Sequence, residues 1–243
     1  MSDRPGLADL EREIEALKKD QKGLLKLVSH DVKSPFNKLY ALSNLLQLTA
    51  DNLTEEQQEY LLRMDWVIKE GLTVVRNLMD LRAIESNEIE LHKESLDICL
   101  LVRESINNYQ KQISVKKLIF DKIDCKVTVQ SDKRLLERVL DHLICNAIKF
   151  SPLESYVNLH VFTPGNTIIF TISSESGPIP EEETGNLFNR HSPLSVRPTH
   201  GENALGNGLF IAKNYARILG GDIEFQQEGA KVEFVLTLPG NVS

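Results

Sequence analysis

The sequence predicts an α+β protein, in which a helical hairpin that dimerises into a four-helix bundle is followed by an α/β sandwich domain. Two observations lead to this fold class. Through about the first third of the 243 residues, apolar side chains recur every three or four positions, the period of amphipathic helices. After about residue 88, short alternating apolar runs interleave with helical segments, which is typical of antiparallel strands beside helices.

The N-terminal segment has the heptad pattern of a coiled coil. Apolar residues follow alternating steps of three and four with one polar layer, and charged residues flank them. The seam consists of Leu7, Leu10, Ile14, Leu17, Gln21, Leu24 and Val28. This pattern predicts a two-stranded parallel coiled coil over residues 1–21, and the alternative is one amphipathic helix packed on its own domain.

Residues 22–88 are predicted to form the helical hairpin. Pro35 lacks a backbone donor and is expected to bend the first helix. The loop at residues 51–54 ends on Thr54, which forms a capping box with Gln57 and begins the second helix. Two apolar-striped helices cannot bury all of their apolar surface alone, so we expect a homodimer that forms a four-helix bundle.

Residues 89–243 are predicted to form the α/β domain. Its elements in order are a helix over 97–110, strands near 118–120 and 127–129, a helix capped at Ser131 and ending near Phe150, a hairpin of 156–162 and 167–173, a helix over 208–219, and a hairpin of 223–225 and 232–238.

Composition excludes some functional classes. The net charge of −7 argues against a general nucleic-acid binder, which needs a basic surface. The sequence has no apolar run long enough for a membrane span and no signal peptide, so we expect a soluble chain. Its first residues look like a domain boundary, which leaves room for a further domain or a membrane span upstream. We expect Cys99, Cys125 and Cys145 to be buried, reduced thiols.

The first candidate for chemistry lies in the first helix. His30 is followed by Asp31, and Ser34 lies four positions after the histidine, so it shares the same helix face. An imidazole nitrogen can accept a phosphoryl group, and the adjacent carboxylate can hold or take the ring proton. The simpler interpretation is a solvated surface pair.

A second candidate lies on the helix that ends near Phe150. His142, Asn146 and, one position off, Lys149 lie along one face of this helix. An amide oxygen suits Mg²⁺ bound to phosphates, and a lysine supplies a positive charge for them. The alternative is a solvated helix face beside an apolar stripe.

Glycine-containing turns supply the third candidate. Glu175 can accept a hydrogen bond from an exocyclic amine, and Gly177 lets the backbone approach a flat ring. Gly206 and Gly208 precede and open a helix, where backbone N–H groups attract phosphates. Taken singly, these features are equally explained by a strand-ending turn and a simple helix entry.

The ordered set of motifs resembles the core of a sensor histidine kinase over roughly residues 22–240. In this resemblance His30 and Asp31 match the phosphoacceptor box, and Ser34 stands at the polar phosphatase position. The second part is similar to the Bergerat-type ATP-binding domain shared by gyrase, heat-shock-90, histidine kinase and mismatch-repair proteins. Its boxes are matched by Asn146 with His142 (N box), Glu175 with Gly177 (first glycine box), Phe188 (F box), and Gly206 with Gly208 (second glycine box).

The resemblance implies an ATP-dependent protein-histidine kinase. ATP and Mg²⁺ would bind in the second domain, with Asn146 as the metal ligand and Lys149 near the phosphates, and His30 would be autophosphorylated. The phosphoryl group would pass to an aspartate on the receiver domain of a response regulator, and Ser34 would align water in the reverse, phosphatase reaction. It also implies a homodimer, a cytoplasmic location and control by an upstream sensor domain outside this chain, with no nucleic acid as partner.

The chain departs from the family pattern at four positions. Glu175 stands in place of the usual aspartate, and Ile179 stands where a second glycine is usual. Ala204 replaces a glycine of the second glycine box, and Asn207 replaces a leucine. These changes favour a less mobile loop over the nucleotide. They also support a rival interpretation, a degenerate pseudokinase that serves as a dimeric docking or phosphotransfer scaffold.

Overall fold

A computed structural model of the chain describes residues 7–87, 89–120, 127–192, 195–199 and 206–240. The chain divides into two compact units, Met1–Glu85 and Ser86–Ser243. The side chains of the predicted heptad seam lie outside the described part of the first helix, so the coiled coil stays a prediction. Over the described residues, no helix has both the length and the apolar character needed to cross a membrane.

The first unit is a hairpin of two long helices, α1 (Leu7–Thr49) and α2 (Glu55–Ser86). Helix α1 continues through Pro35. The predicted capping box at the start of α2 is confirmed, because Gln57 Oε1 accepts from Thr54 N at 2.9 Å and Gln57 N donates to Thr54 Oγ1 at 3.2 Å. These two bonds satisfy backbone donors that a helix start leaves without partners.

The interior of the hairpin contains a polar layer within an apolar face. Asp65 is buried, and its Oδ1 accepts from Ser43 Oγ at 2.6 Å while its Oδ2 accepts from Gln47 Nε2 at 3.1 Å. The buried apolar residues of α2 are Leu61, Ile68, Leu72, Val75 and Leu81. Hydrogen bonds to the buried carboxylate offset its loss of water and fix the two helices against each other.

The second unit contains a mixed sheet and several helices. Its elements are β1 (Glu94–Asp97), α3 (Ile98–Asn107), α4 (Gln110–Lys116), β2 (Ile119–Phe120), β3 (Thr128–Ser131), α5 (Lys133–Phe150), β4 (Tyr156–Phe162), β5 (Thr167–Glu175), α6 (Glu181–Thr184), α7 (Gly208–Ile218), β6 (Asp222–Glu228) and β7 (Lys231–Pro239). The large sheet has the order β2-β4-β5-β7-β6, and β1 pairs with β3 in a small sheet. Pairing is antiparallel throughout except between β2 and β4.

The core of the second unit lies between the large sheet and the helices α3, α5 and α7. Alternate residues of β5 are buried, as expected for a strand with one covered face. Fully buried side chains include Ile98, Leu136, Leu140, Ile144, Phe170, Ile172, Ile211 and Ile223. This two-layer arrangement confirms the predicted α+β class and places the polar edge of α5 at the margin of the core.

Two predicted elements differ from the structure. The helix predicted over 97–110 corresponds to α3, which ends at Asn107, and the sequence pattern did not predict the second helix, α4, over Gln110–Lys116. Helix α5 is capped by Asp132 rather than by Ser131, since the Asp132 carboxylate accepts from Arg134 N at 3.0 Å and from Leu135 N at 3.3 Å. The cap of α5 is a boundary error of one residue, whereas α4 is a helix that the prediction missed.

The cysteines also differ from the prediction. Cys99 is disulfide-bonded, so the expectation of three reduced thiols is wrong at this position. Cys145 is half-buried and is not part of a disulfide. Cys125 lies outside the described residues.

Candidate functional site

His30 and Asp31 form an exposed pair on α1. His30 Nδ1 lies 3.2 Å from Asp31 Oδ1, and the two side chains are 83% and 68% exposed. An ionised carboxylate only accepts hydrogen bonds, so the Nδ1 of a neutral His30 must carry the proton that it donates. This assignment leaves a lone pair on Nε2, the nitrogen that points away from Asp31.

A groove on the surface of α1 adjoins His30. It has a volume of about 510 Å³ and is lined by His30, Lys33, Ser34, Asn37, Lys38 and Ala41. Ser34 is half-buried one turn after the histidine. Two lysines and two neutral polar side chains make this groove suitable for an anionic group beside the imidazole.

His142 is the buried histidine of α5. Its side chain is 5% exposed, and burial, with smaller contributions from the positive charges of Arg138 and Lys149, lowers its pKa to about 3. Arg138 Nη2 lies 3.4 Å from His142 Nε2. Because a guanidinium can only donate, Nε2 of the neutral ring accepts and Nδ1 carries the proton.

The ring of His142, on α5, lies beside the first residue of α7, Gly208. A Cβ atom on Gly208 would lie 3.1 Å from His142 Nδ1, so a side chain at this position would crowd the ring. Gly206 has a φ of +66°, in the left-handed region that favours glycine. The structure therefore places His142 beside the second glycine box, where the first backbone N–H groups of α7 have no helical acceptor.

Asn146 and Lys149 lie on the same helix toward its C-terminal end. Both are half-buried, at the margin of the core rather than on a fully solvated face. Asn146 is one turn after His142. Their placement puts an amide group and a positive charge on the edge of α5.

A hydrogen-bonded network of Arg138, Asp141 and Tyr109 adjoins His142, and it was not predicted from the sequence. Arg138 Nη1 donates to Asp141 Oδ2 at 3.0 Å, and Tyr109 Oη donates to Asp141 Oδ1 at 2.6 Å. Burial raises the pKa of Tyr109 well above its usual range, so its hydroxyl keeps its proton. The spacing of Arg138 and His142 was the available signal, but Tyr109 reaches them only through the fold.

Glu175 and Gly177 lie at the end of β5. Glu175 is exposed and stands opposite Lys231 of β7, while Gly177 has a φ of +78°, which explains why a glycine is needed there. Ile179, which stands where the family has a second glycine, is buried, and its N–H donates to Gln227 Oε1 at 2.8 Å. The backbone at Ile179 is therefore hydrogen-bonded to a side chain of β6.

Phe188 packs between α7 and the sheet. Lys213 Nζ lies 4.3 Å from the centre of its ring, and the ring of Phe234 meets it edge-on at a centroid distance of 6.4 Å. Phe188, the residue matched to the F box, is thus half-buried and held by contacts with α7 and β7.

Asn207 has a role that a leucine could not take. Its side-chain Oδ1 accepts from the backbone N–H of His191 at 3.1 Å. The bond joins the beginning of the segment after Phe188 to the second glycine box. Ala204, the other departure in this box, lies outside the described residues.

Comparison with known proteins supports this description. Residues 131–241 match the family described as "Histidine kinase-, DNA gyrase B-, and HSP90-like ATPase". This stretch begins just before α5 and ends just after β7, so it contains the whole set of site residues in the second unit.

Relatives and solved structures extend the likeness to the hairpin. "Heme sensor protein HssS" of Staphylococcus aureus (strain MSSA476) is 28% identical over 215 residues, which cover 88% of this chain and 46% of that protein. The chain therefore spans about half the length of the curated relatives it matches.

Two solved structures share the fold. Full-length ShkA in complex with AMPPNP has a TM-score of 0.66 at 22% identity, covering 91% of this chain and 46% of ShkA. The histidine kinase AdeS of Acinetobacter baumannii has a TM-score of 0.60 at 22% identity, covering 87% of this chain and 98% of AdeS. Residues 131–241 thus match the histidine kinase-, DNA gyrase B- and HSP90-like ATPase family, and the whole chain is similar in sequence and fold to sensor histidine kinases.

Proposed function

We propose that this chain is an ATP-dependent protein-histidine kinase that phosphorylates His30 and passes the phosphoryl group to an aspartate of a response regulator. The observation that carries the proposal is the pairing of the exposed His30 ring with Asp31, at 3.2 Å. A phosphoacceptor must be accessible and must present an unprotonated nitrogen, and this pair meets both requirements.

In the proposed reaction, the Nε2 lone pair of His30 attacks the γ-phosphorus of ATP. The new N–P bond forms as the bond from phosphorus to the bridging oxygen breaks, and ADP leaves with that electron pair. Asp31 accepts the hydrogen bond from Nδ1–H and stabilises the positive charge that develops on the ring. Such a transfer depends on positioning and charge neutralisation, which the groove beside His30 and its two lysines favour.

The residues of α5 and α7 fit a nucleoside triphosphate. The N-terminus of α7 and the Lys149 ammonium are suited to phosphates. Gly208 lets the start of α7 lie close to the His142 ring. Mg²⁺ bound with ATP would neutralise phosphate charge, and Asn146 would supply an oxygen ligand to it. Glu175 would accept from the adenine amine, with Gly177 allowing close approach of the ring. The solved structure of ShkA with AMPPNP is consistent with a nucleotide in this fold.

A homodimer follows from the surface of the hairpin. Several large apolar side chains of its two helices are exposed, namely Leu39, Leu42, Leu45, Leu46, Leu48, Tyr60, Met64, Val67, Val74 and Leu78. A second copy that packs its hairpin against this surface forms a four-helix bundle and removes these side chains from water.

Further partners and the reverse reaction complete the proposal. The receiver domain of a response regulator would dock beside His30 and take the phosphoryl group on its own aspartate. Ser34 lies in the same groove and would align water for removal of the phosphoryl group from that partner. An upstream sensor domain would control both activities, and the chain would act on the cytoplasmic side of the membrane.

The decisive test is incubation of the chain with γ-labelled ATP and Mg²⁺, followed by measurement of acid-labile label on the protein. The parent chain should be labelled, and His30→Gln should abolish labelling completely because its side chain has no nucleophilic nitrogen. His92→Gln, which changes another exposed histidine, should be labelled like the parent.

Label that persists in His30→Gln would contradict the assignment of the phosphoacceptor. If neither protein is labelled although both form folded dimers, the chain acts as a nucleotide-binding or docking scaffold instead. Binding of AMPPNP to the unlabelled parent would then separate a scaffold that binds nucleotide from one that does not.

A further inference from the structure

We propose that Lys116 is a positioning residue of the nucleotide site, which holds Thr199 on the C-terminal end of α5. This inference rests on the proposed function and adds to it a residue outside the family boxes. Lys116 is the last residue of α4, and its backbone carbonyl accepts from Glu154 N at 2.8 Å. The backbone of this lysine is therefore tied to the loop that follows α5.

The ammonium group of Lys116 is buried among acceptors. Its side chain has no exposed surface, and Nζ lies 2.8 Å from the carbonyl oxygen of Ile148 and 2.9 Å from that of Lys149. The third acceptor is Thr199 Oγ1 at 2.7 Å. An ammonium has three N–H donors, so these three acceptors satisfy it, and a buried charge is tolerated only under that condition.

Two of these acceptors belong to the last turn of α5. Carbonyl groups in this turn have no helical N–H partner and form the negative end of the helix dipole. A fixed positive charge there stabilises the turn that carries Lys149, one turn beyond Asn146. Lys116 thus supports the helical turn that carries the proposed phosphate-binding residue Lys149.

The third acceptor connects this turn to the segment 195–199. Besides accepting from Lys116, the Thr199 hydroxyl lies 2.7 Å from the carbonyl oxygen of Ser151, to which it donates. Thr199 N donates to the carbonyl oxygen of Lys149 at 3.1 Å. One exposed threonine therefore joins its segment to two carbonyl groups at the end of α5 and to the buried Lys116 ammonium.

The other end of the segment 195–199 is held by a separate hydrogen bond. Ser195 N donates to Glu183 Oε2 at 2.9 Å. The segment 195–199 is therefore held at both ends. Loss of the Thr199 joint would add conformational freedom that nucleotide binding must then remove.

The experiment compares Thr199→Val, Thr199→Ser and the matched control Thr184→Val in the full chain. Thr184 also uses its hydroxyl, but its bond is a local one to Glu181 O at 2.8 Å. Affinity for AMPPNP is measured directly, and amide exchange of Thr199 is measured without nucleotide. Thr199→Val should weaken AMPPNP about tenfold, as expected for loss of a hydrogen bond to a charged group, and should speed the exchange of this amide.

Thr199→Ser should restore parent affinity, because it keeps the hydroxyl, and Thr184→Val should match the parent. Thr199→Val with unchanged affinity and unchanged amide exchange would overturn the role of Lys116. A parent chain that fails to bind AMPPNP would instead overturn the proposed function itself, together with this inference. Since Thr199 is exposed, its variants should fold even if the direct test, Lys116→Met, does not.

Discussion

His30 in the first unit and His142 in the second are the same side chain in opposite surroundings. The side chain of His30 is 83% exposed and beside a carboxylate, whereas His142 is 5% exposed and beside a guanidinium. Both rings carry their proton on Nδ1, but the neighbours engage opposite nitrogens: Nδ1–H of His30 donates to Asp31, whereas Nε2 of His142 accepts from Arg138. One ring therefore has a free nucleophilic nitrogen, and the other presents a fixed donor.

This contrast extends to the two units. The hairpin keeps its proposed reactive group at the surface, where a nucleotide and a partner protein can both reach it. The α/β unit fixes its polar groups through several neighbours, as in the set Tyr109, Asp141, Arg138 and His142. A group that receives and then gives away a phosphoryl needs access, while a site that positions phosphates needs rigidity.

The largest expected effect is a loss of stability that is confined to the second unit. Gly221 lies where α7 gives way to β6, and a Cβ atom there would collide with the backbone carbonyl of Thr237 in β7. Because neither backbone can move without distorting the sheet, Gly221→Ala should destabilise the α/β unit by about 3 kcal/mol. Calorimetry should show a lowered transition for this unit and an unchanged transition for the helical hairpin.

Gly185→Ala is the control for this change, since an added Cβ there meets nothing within 4 Å. It should leave both transitions in place. A single transition that shifts as a whole in Gly221→Ala would show that the two units unfold as one, and the comparison between them would fail.

The pH dependence of stability tests the buried, neutral state of His142. His142 titrates near 6.5 when unfolded, but its folded pKa is about 3. Between these values only the unfolded state takes up the proton, so this residue lowers stability as pH falls, by up to about 1.4 kcal/mol per pH unit. From pH 7 to pH 5, the parent should lose about 2 kcal/mol more than His142→Asn, which stays neutral.

Urea unfolding at the two pH values measures this difference, and other titrating groups cancel in the comparison of parent with variant. Equal losses for the two proteins would mean that the ring is protonated or hydrated in the folded state. The assignment of the proton to Nδ1 would then be withdrawn.

A smaller effect is expected inside the hairpin. Ser43→Ala removes the 2.6 Å hydrogen bond to the buried Asp65 carboxylate, which should destabilise the hairpin by about 1–2 kcal/mol. Thr49→Ala is the matched control, because the Thr49 hydroxyl is exposed and bonds only within its own helix, to Leu45 O at 2.7 Å. Thermal unfolding by circular dichroism compares the two variants, and equal melting temperatures would show that the polar layer adds no stability.

Local patterns made much of the fold predictable. The helical period, the Thr54 capping box and the alternation in β4 depend on residues close together in the chain, so the sequence determined them directly. The same is true of His30 with Asp31, which are adjacent, and of His142 with Asn146, which are one helical turn apart. The ordered motifs then determined the resemblance to a histidine kinase core.

Contacts between distant residues were decided by the tertiary structure alone. Lys116 meets Thr199, which lies 83 positions later, and Tyr109 meets Asp141 across 32 positions. Neither pair has a period or spacing that a single sequence reveals. The parallel pairing of β2 with β4 likewise joins residues that are distant in the chain, Ile119 with Tyr156 and Phe120 with Val157.

The protonation of His142 shows the difference most directly. The sequence determined that an imidazole lies on the edge of α5, but its charge and tautomer depend on burial and on the Arg138 guanidinium beside it. Desolvation is a property of the packed interior, and no local pattern contains it. The order of residues in the chain thus specifies which side chains the site contains. Their protonation and tautomer depend on the packing of the folded protein.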